Sequence, residues 1–312
     1  LSARVSFAAG MHNDSNRNSF PASAMVLVNN APVALPGREE DDLGRFAIGT
    51  AQMSLDTGKQ RLQQVFADFT ALYDDQVEVD ELDVRALVLN TGVFYRSALG
   101  DLLPGAHMSL LSLDREKYLR DFALSLRWQK PVSTSKITVF TEARHGWRAF
   151  NNTTNTPFAG QQSGHYQRLE AGGQRLLDAT ALASVSVVFN RVAAINFESY
   201  KGYEISAGLQ KLLPRRANFT VLATVEKQIY EGPDLFISNL TRKDIDLSLE
   251  MAYGVPLSTM LAFALGDGAL PAAIADTSLN LSAAYQNSNS NLPNYDYDNF
   301  RTQFMLSRNW DF

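Results

Sequence analysis

Histidines and one glycine-flanked serine are the residues whose types could support hydrolytic chemistry. Gly160-Gln-Gln-Ser-Gly164 has one residue too many between its first glycine and its serine to match the Gly-x-Ser-x-Gly motif of serine hydrolases. That motif places the serine on a turn between a strand and a helix. His145 and His165 flank this same polar segment, but they lack the spacing of a metal-binding pair. We therefore expect no enzyme activity, no metal and no cofactor.

Charged side chains at alternate positions are the more informative set. In residues 244–253, Asp and Glu alternate with Ile, Leu, Met and Tyr, so that one face of a strand is acidic and the other is apolar. The same alternation in neighbouring segments predicts a polar lumen that is lined by Glu142, Arg144, Arg168, Glu170, Glu226, Asp244, Asp246, Glu250 and Arg301. Two interpretations follow. The interior is held together by ion pairs, or it is a channel wall that is acidic near residues 226–250.

Alternating segments of this kind recur along the chain at the length that a tilted membrane strand needs, about 9–11 residues. We predict fourteen strands, an even number that brings both termini to one side. They are 2–11, 45–56, 61–74, 81–96, 105–115, 119–131, 136–149, 165–176, 178–191, 201–212, 217–230, 241–254, 277–286 and 300–312. Short connectors alternate with long polar ones (12–44, 151–164, 232–241 and 287–299), which predicts short periplasmic turns and long extracellular loops.

Aromatic residues lie near the ends of these segments. Residues 301–312 alternate polar and apolar side chains up to a terminal phenylalanine, as the closing strand of an outer-membrane barrel does. We predict that the interfacial girdles and the closing strand include Trp128, Trp147, Tyr253, Trp310 and Phe312.

Composition supports a barrel over other classes. The 312 residues include no cysteine, carry a net charge of −5 and are 45% hydrophobic. The longest apolar run, 260–275, is interrupted by glycine, aspartate and proline and is too broken to span a membrane. The acidic balance argues against a nucleic-acid partner. We expect one closed, antiparallel, all-β domain over residues 1–312 in the bacterial outer membrane, in contact with its lipid, with a signal peptide and a possible periplasmic domain upstream.

Three short motifs resemble one family of outer-membrane barrels. Val5-Ser-Phe-Ala-Ala-Gly-Met-His-Asn-Asp-Ser-Asn16 resembles the first strand and loop of the surface lipoprotein assembly modifiers. Residues 288–301 are similar to their Ser-Asn…Tyr-x-Tyr-x-x-x-Arg finish, and Arg242-Lys-Asp is similar to an Arg-x-Asp strand start. The resemblance implies a 14-stranded barrel that follows a periplasmic tetratricopeptide domain and helps surface lipoproteins cross the membrane. Residues 255–276 depart from that pattern.

Three functions are consistent with these observations. The first is translocation or surface display of protein cargo through the lumen, or through a seam where segment 2–11, rich in small residues, pairs weakly with 300–312. The second is a passive porin or a polysaccharide-export channel. The third is a structural barrel that anchors a surface complex through its outer loops.

Overall fold

Fourteen antiparallel strands form a closed barrel, which confirms the predicted fold. The computed structural model describes residues 1–35, 37, 39–132, 136–265 and 276–312. The strands are β1 (Ser2–Asp14), β2 (Met25–Val28), β3 (Ala31–Ala34), β4 (Asp42–Asp56), β5 (Leu62–Gln76), β6 (Val84–Ser97), β7 (Gly100–Leu113), β8 (Glu116–Val132), β9 (Ile137–Phe150), β10 (Gly164–Leu176), β11 (Ala181–Ala193), β12 (Tyr200–Leu212), β13 (Asn218–Tyr230), β14 (Lys243–Pro256), β15 (Thr277–Ser290) and β16 (Tyr297–Asp311).

Helices are few in the described part of the chain. The α-helix α1 spans Leu257–Leu265. Single 3₁₀ turns lie in the loops at Asp80–Leu82, Ala159–Gln162, Asn196–Glu198, Pro214–Arg216 and Pro293–Tyr295. None of the helices in these ranges has the length and apolar character that a membrane span requires.

Each barrel strand pairs with its neighbours in sequence, and β1 closes the sheet against β16. Residues Arg4–Asp14 pair in register with Arg301–Asp311. Beyond them, Ala3 and Phe312 exchange two backbone hydrogen bonds, of 3.2 and 2.8 Å. The expected weakness of this seam is therefore not seen in its hydrogen bonding, and the sheet has no free edge.

The predicted segments all correspond to barrel strands, although several ends differ. Strand β7 begins at Gly100 instead of 105, because the sheet continues through Pro104. Proline has no N–H to donate, and the β6–β7 pairing is interrupted between Gly92–Gly105 and Tyr95–Leu102. Strands β15 and β16 extend into the polar segment that was expected to be a long loop, so the loop is reduced to residues 291–296.

Connections at the two ends of the barrel differ in length. The end that holds both termini has short turns, apart from the segment that contains α1. The opposite end carries the long connections 15–41, 151–163 and 231–242, as predicted, and is the extracellular end by this asymmetry. The shortest connection there joins β7 and β8 by Asp114-Arg115, both with positive φ, as a type I′ turn requires.

Strands β2 and β3 form a hairpin that the sequence analysis missed. It lies within the connection 15–41 and turns at Asn29-Asn30, whose φ angles are 49° and 65°. The hairpin reaches the loop 231–242: Asn29 N–H donates to Phe236 O and Asn30 N–H to Ile237 O, at 2.8 and 2.9 Å. The extracellular rim is therefore bridged from β1 to the β13–β14 loop.

Helix α1 accounts for part of the interruption expected at 255–276. Its start packs by Leu257 against a small buried cluster of Ala217, Val255 and Leu279 at the end that holds the termini. Thr259 donates its hydroxyl to Arg215 O in the neighbouring turn, at 3.1 Å. Residues 266–275 of that predicted interruption lie outside the described residues.

Candidate functional site: the lumen wall

Strand register determines which side chains face the lumen, because residues paired across strands point to the same side of a sheet. The concave side is identified by contacts that reach over an intervening strand. Arg168 on β10 contacts Glu204 on β12 with an NH1–Oε2 distance of 3.3 Å, and Tyr166 OH on β10 donates to Asp121 on β8 at 3.1 Å. Such contacts require side chains that converge, as they do inside a barrel.

Glycines on the lumen side make two of these contacts possible. Asn190 on β11 donates its Nδ2 to Glu226 on β13 at 3.3 Å, across Gly202 on β12. A Cβ at Gly202 would lie 2.5 Å from Glu226 Oε1. A Cβ at Gly146 on β9 would likewise lie 2.4 Å from the ring of Tyr166. A larger residue at either glycine would block a contact between strands two apart.

All nine residues predicted to line the lumen share this inward face. The register sets Glu142 opposite Glu170 and Arg144 opposite Arg168. Glu226 lies opposite Asp246, with Asp244 and Glu250 at alternate positions of the same strand. Arg301 reaches the same face through Ala284, its partner on β15, which is itself paired with Glu250.

Five carboxylates form one row of paired positions across β9–β14. The row runs Glu142–Glu170 on β9 and β10, passes Val188 on β11, and continues through Glu204, Glu226 and Asp246. Like charges that face each other across strands are destabilising unless other groups compensate them. The two halves of the row differ in how they are compensated.

On the β8–β10 half, arginines pair with the carboxylates. Glu142 contacts Arg127 at 3.6 Å and Arg144 at 3.1 Å. Arg168 contacts both Glu170 and Glu204 at 3.3 Å. This half therefore fits the interpretation of an interior held together by ion pairs.

On β13 and β14, the carboxylates have polar neighbours instead. Glu226 accepts hydrogen bonds from the amides of Asn190 and Gln228, at 3.3 and 3.1 Å. Within the described ranges, no arginine or lysine lies within ion-pair distance of Glu226, Asp246 or Glu250. A cavity of ≈ 410 Å³ opens here, which we call the acidic bay; its wall includes Thr224, Glu226, Gln228, Arg242, Asp246, Ser248, Gln286, Ser288 and Tyr297.

Asp244 faces inward but is sealed from the lumen. It is 1% exposed and binds Arg242 with an Nε–Oδ2 distance of 2.6 Å. The Arg242 guanidinium lies 3.4 Å from the ring centre of Tyr295 and 4.6 Å from that of Tyr230. Burial opposes the Arg242 cation, but Tyr230 and the Asp244 carboxylate outweigh it, so the pKa of Arg242 is raised. Burial also raises the pKa of the Tyr295 hydroxyl.

The wall formed by β1 and β5 contains a buried cluster that the sequence analysis did not find. His12 is 1% exposed and hydrogen-bonds Asp74 at 2.7 Å. Arg17 contacts Asp74 at 3.6 Å and Asp14 at 3.8 Å. His12 was expected in a polar loop, whereas β1 extends to Asp14. The polar–apolar alternation continues past Gly10 through Met11 and His12, so the position of His12 was available in the sequence, whereas Asn13 and Asp14 are both polar and carry no such signal.

Arg127 and Glu204 are two further members of the charged wall that were missed. Their inward orientation could have been read from the apolar residues beside them, Leu126 and Trp128 for Arg127, and Tyr203 and Ile205 for Glu204. Their partners could not be read in this way, because these depend on which strands become neighbours.

The histidines considered for hydrolytic chemistry lie on the opposite face of the sheet. The rings of His145 and His165 stack with centres 5.8 Å apart and planes 9° apart. Gln167 pairs with His145 and Trp147 with His165, which places both histidines on the outer wall.

The predicted girdle residues also point outward. Trp147 lies near the extracellular end and is exposed, whereas Trp128, Tyr253 and Trp310 lie towards the end that holds the termini. Trp128 donates its indole N–H to Leu99 O at 3.2 Å, and the Arg308 guanidinium lies 5.1 Å from the centre of the Trp310 ring. Phe312 follows the last strand and is 78% exposed.

A closed antiparallel barrel with apolar side chains outside and charged side chains inside is an integral protein of the bacterial outer membrane. No protein-family model matches the sequence, and no curated protein matches it either. The resemblance to the lipoprotein assembly modifiers therefore stays a prediction.

Several solved structures are loosely similar to the barrel. They include OccAB3 of Acinetobacter baumannii (TM-score 0.47, 8% identity, 100% of this chain and 99% of that one). Others are OpdQ of Pseudomonas aeruginosa (0.44, 9%, 99% and 98%) and the outer membrane protein OpdK of the same organism (0.43, 7%, 100% and 99%). Likenesses this remote transfer no activity to the present chain.

Proposed function

We propose that the protein is a passive porin for small hydrophilic solutes, with a preference for cations. The observation that carries this proposal is the position of the described elements outside the barrel wall. The β2–β3 hairpin contacts the 3₁₀ turn Pro293–Tyr295 at the extracellular rim, and α1 contacts the ends of β14 and β15. These described elements therefore contact the ends of the wall, and the loop residues Arg17, Arg242 and Tyr295 meet inward side chains near its extracellular end.

The circumference of the wall favours an aqueous path. Fourteen strands about 4.8 Å apart and tilted by about 40° enclose a circle roughly 28 Å across, measured between backbones. Small barrels of about eight strands are filled by their side chains, whereas larger ones enclose a lumen. Side chains that fold along the wall into ion pairs, as Arg168 does with Glu170 and Glu204, leave the centre free.

The distribution of unpaired charge supports the preference for cations. Arginines neutralise the β8–β10 half of the carboxylate row, whereas Glu226 and Asp246 in the acidic bay form no ion pair among the described residues, and the one arginine on the bay's wall, Arg242, is paired with Asp244. A bay with unpaired carboxylates attracts cations and repels anions at the same place on the wall.

Protein translocation has less support from the geometry. A lateral exit would require opening the ladder between Arg4–Asp14 and Arg301–Asp311, which is closed further by an Arg4–Asp311 contact of 2.6 Å. No specific observation favours polysaccharide export or an anchoring role over diffusion.

Planar-bilayer recordings with neutralised carboxylates test the proposal. We expect open-channel conductance and a cation-over-anion permeability ratio that falls for Glu226→Gln and for Asp246→Asn. One charge about 4 Å from a hydrated ion contributes about 1 kcal/mol, so each change lowers the ratio by up to about fivefold.

Asp298→Asn is the matched control. It removes one negative charge from the same part of the barrel, but from an exposed position opposite Asn287 on the outer face. The permeability ratio should not change in this variant. Absence of conductance would reject the porin, and conductance with an unchanged ratio in both bay variants would reject the cation preference.

A further inference from the structure

Four cations form a continuous group on the outer face of β11–β14, near the extracellular end. We call Arg191, Lys201, Lys227 and Lys243 the cationic row. Arg191 pairs directly with Lys201. Ile229 on β13 is the register partner of both Lys201 and Lys243. Lys227 lies two residues before Ile229 on the same strand and is therefore diagonal to both lysines. Diagonal neighbours in a sheet lie about 7–8 Å apart, so one anionic group can contact several of these side chains.

These cations have no protein partner among the described residues. All four side chains are exposed, and the outward-facing positions of β10–β14 contain no aspartate or glutamate. Some outward arginines elsewhere on the wall are engaged, as where Arg45 contacts Asp75 at 2.5 Å, whereas Arg120 and Arg175 are exposed singly and do not form a group. The cationic row is therefore free to bind an external anion.

The position of Lys201 along its strand places the row at the membrane interface. Between Lys201 and Lys211, every outward residue of β12 is apolar or aromatic. Ten residues of a strand tilted by about 40° cover about 25 Å of depth, which matches the apolar band of an outer-membrane barrel. Lys201 then lies at the outer-leaflet headgroups and Lys211 at the inner-leaflet headgroups.

An apolar groove lies directly beneath one end of the row. Its volume is ≈ 420 Å³, and it is bounded by Leu124, Leu126, Ala143, Leu169 and Phe189. Ala143 pairs with Leu126 on one side and Leu169 on the other, so a small residue between two large ones forms the floor. The next paired positions towards the loops are His145, Gln167 and Arg191.

We propose that this face binds a phosphorylated lipid of the outer leaflet. The phosphate contacts Arg191 and Lys201, and an acyl chain occupies the groove above Ala143. Charge complementarity selects an anion, and the groove beneath the row selects one that carries a hydrocarbon chain. The site is on the outside of the barrel and does not depend on conduction through the lumen.

Native mass spectrometry of the detergent-solubilised protein, titrated with bisphosphorylated lipid A, tests the proposal. We expect saturable binding that weakens about fivefold for each cation removed, and so about 25-fold for Arg191→Gln with Lys201→Gln. The matched control is Arg175→Gln with Lys211→Gln. It removes two exposed outward cations from β10 and β12 at the opposite end, and binding should be retained.

Two further variants of the experiment separate a lipid site from simple charge attraction. Dephosphorylated lipid A should bind more weakly than the phosphorylated form, and Ala143→Leu, which fills the groove and leaves every charge in place, should also weaken binding. Three results would overturn the proposal. They are equal binding of phosphorylated and dephosphorylated lipid A, an equal loss of binding in the Arg175→Gln, Lys211→Gln control, and competition by inorganic phosphate as effective as that by lipid A. Heat-modifiable gel migration verifies that each variant is folded.

Discussion

Asp244 and Glu226 show that an inward register and access to the lumen are separate properties of a residue. Both lie on the concave face and were predicted to line the channel, and Gln228 on β13 pairs with Asp244. Glu226 opens into the acidic bay, whereas Asp244 is covered by Arg242 and Tyr295. Asp244 therefore anchors Arg242, the last residue of the loop 231–242, to the barrel wall.

This difference predicts opposite profiles for two neutralising substitutions. Asp244→Asn leaves the partly buried Arg242 guanidinium without its counter-ion, and we expect it to lower the free energy of unfolding by about 3 kcal/mol. Its effect on the cation-over-anion permeability ratio should be smaller than that of Glu226→Gln. Urea unfolding in lipid vesicles and bilayer recordings measure the two quantities.

A double substitution provides the control for that prediction. Arg242→Gln with Asp244→Asn removes both charges, so that no unpaired ion remains buried, and should recover part of the lost stability. If Asp244→Asn altered selectivity more than Glu226→Gln without loss of stability, Asp244 would have to be exposed to the lumen.

At the scale of elements, the strands could be predicted and some connections could not. Period-2 alternation predicts a strand wherever one face contacts lipid, which is why all fourteen barrel segments were found. The β2–β3 hairpin was missed because it is short and its exposed positions include apolar residues on both faces. Its Asn29-Asn30 turn, flanked by β-branched and apolar residues, was a recognisable signal.

The hairpin turn predicts a local effect on the loop 231–242. Asn30 Oδ1 accepts hydrogen bonds from Ser238 Oγ at 3.0 Å and from Asn239 N–H at 2.7 Å. Asn30→Ala removes both acceptor contacts, at about 1 kcal/mol each, and should make the loop more sensitive to limited proteolysis on intact cells.

Asn29→Ala is the matched control for that experiment. Asn29 has a similar left-handed backbone, with φ 49° against 65° for Asn30, so the conformational penalty for alanine is comparable. Equal cleavage of both variants would attribute the effect to the backbone and not to the two hydrogen bonds.

The β1–β16 seam allows a direct comparison of the two transport hypotheses. Ala8 and Ser307 are register partners on the lumen side, and both are small. A disulfide between Ala8→Cys and Ser307→Cys fixes the closing strands. We expect the oxidised double variant to conduct like its reduced form, because solutes that diffuse through the lumen do not need the seam to open. Loss of conductance on oxidation, restored by reductant, would contradict a rigid porin.

At the scale of the whole molecule, the sequence could predict the face of the sheet on which a residue lies, but not its partners on other strands. Alternation placed all nine residues that were predicted to line the lumen on one face, because a period of two is fixed by strand geometry. Alternation could not show which carboxylates lack a counter-ion. Arg168 reaches Glu204 over β11, and such a pairing requires the curvature of the closed barrel. The acidic bay is therefore a property of the assembled wall.

Apolar side chains lie on the outer face of the barrel and polar ones on the inner face. Adjacent residues of one strand should therefore respond differently to the same substitution. Ile205 lies in the middle of β12, is 61% exposed and pairs with Val187 and Val225 on the outer face. If that face contacts lipid, Ile205→Arg lowers the free energy of unfolding by about 2–4 kcal/mol, the range for a midplane arginine. In a water-soluble barrel, an exposed position would tolerate arginine within about 0.5 kcal/mol. Ser206→Arg, one residue further and facing the lumen, loses hydrogen bonds to Glu204 and Thr224, so it should lower stability by about 1 kcal/mol, less than Ile205→Arg, and reduce cation conductance. The free energy of unfolding is measured in lipid vesicles. Equal values for Ile205→Arg and the parent protein would contradict a lipid-facing outer wall.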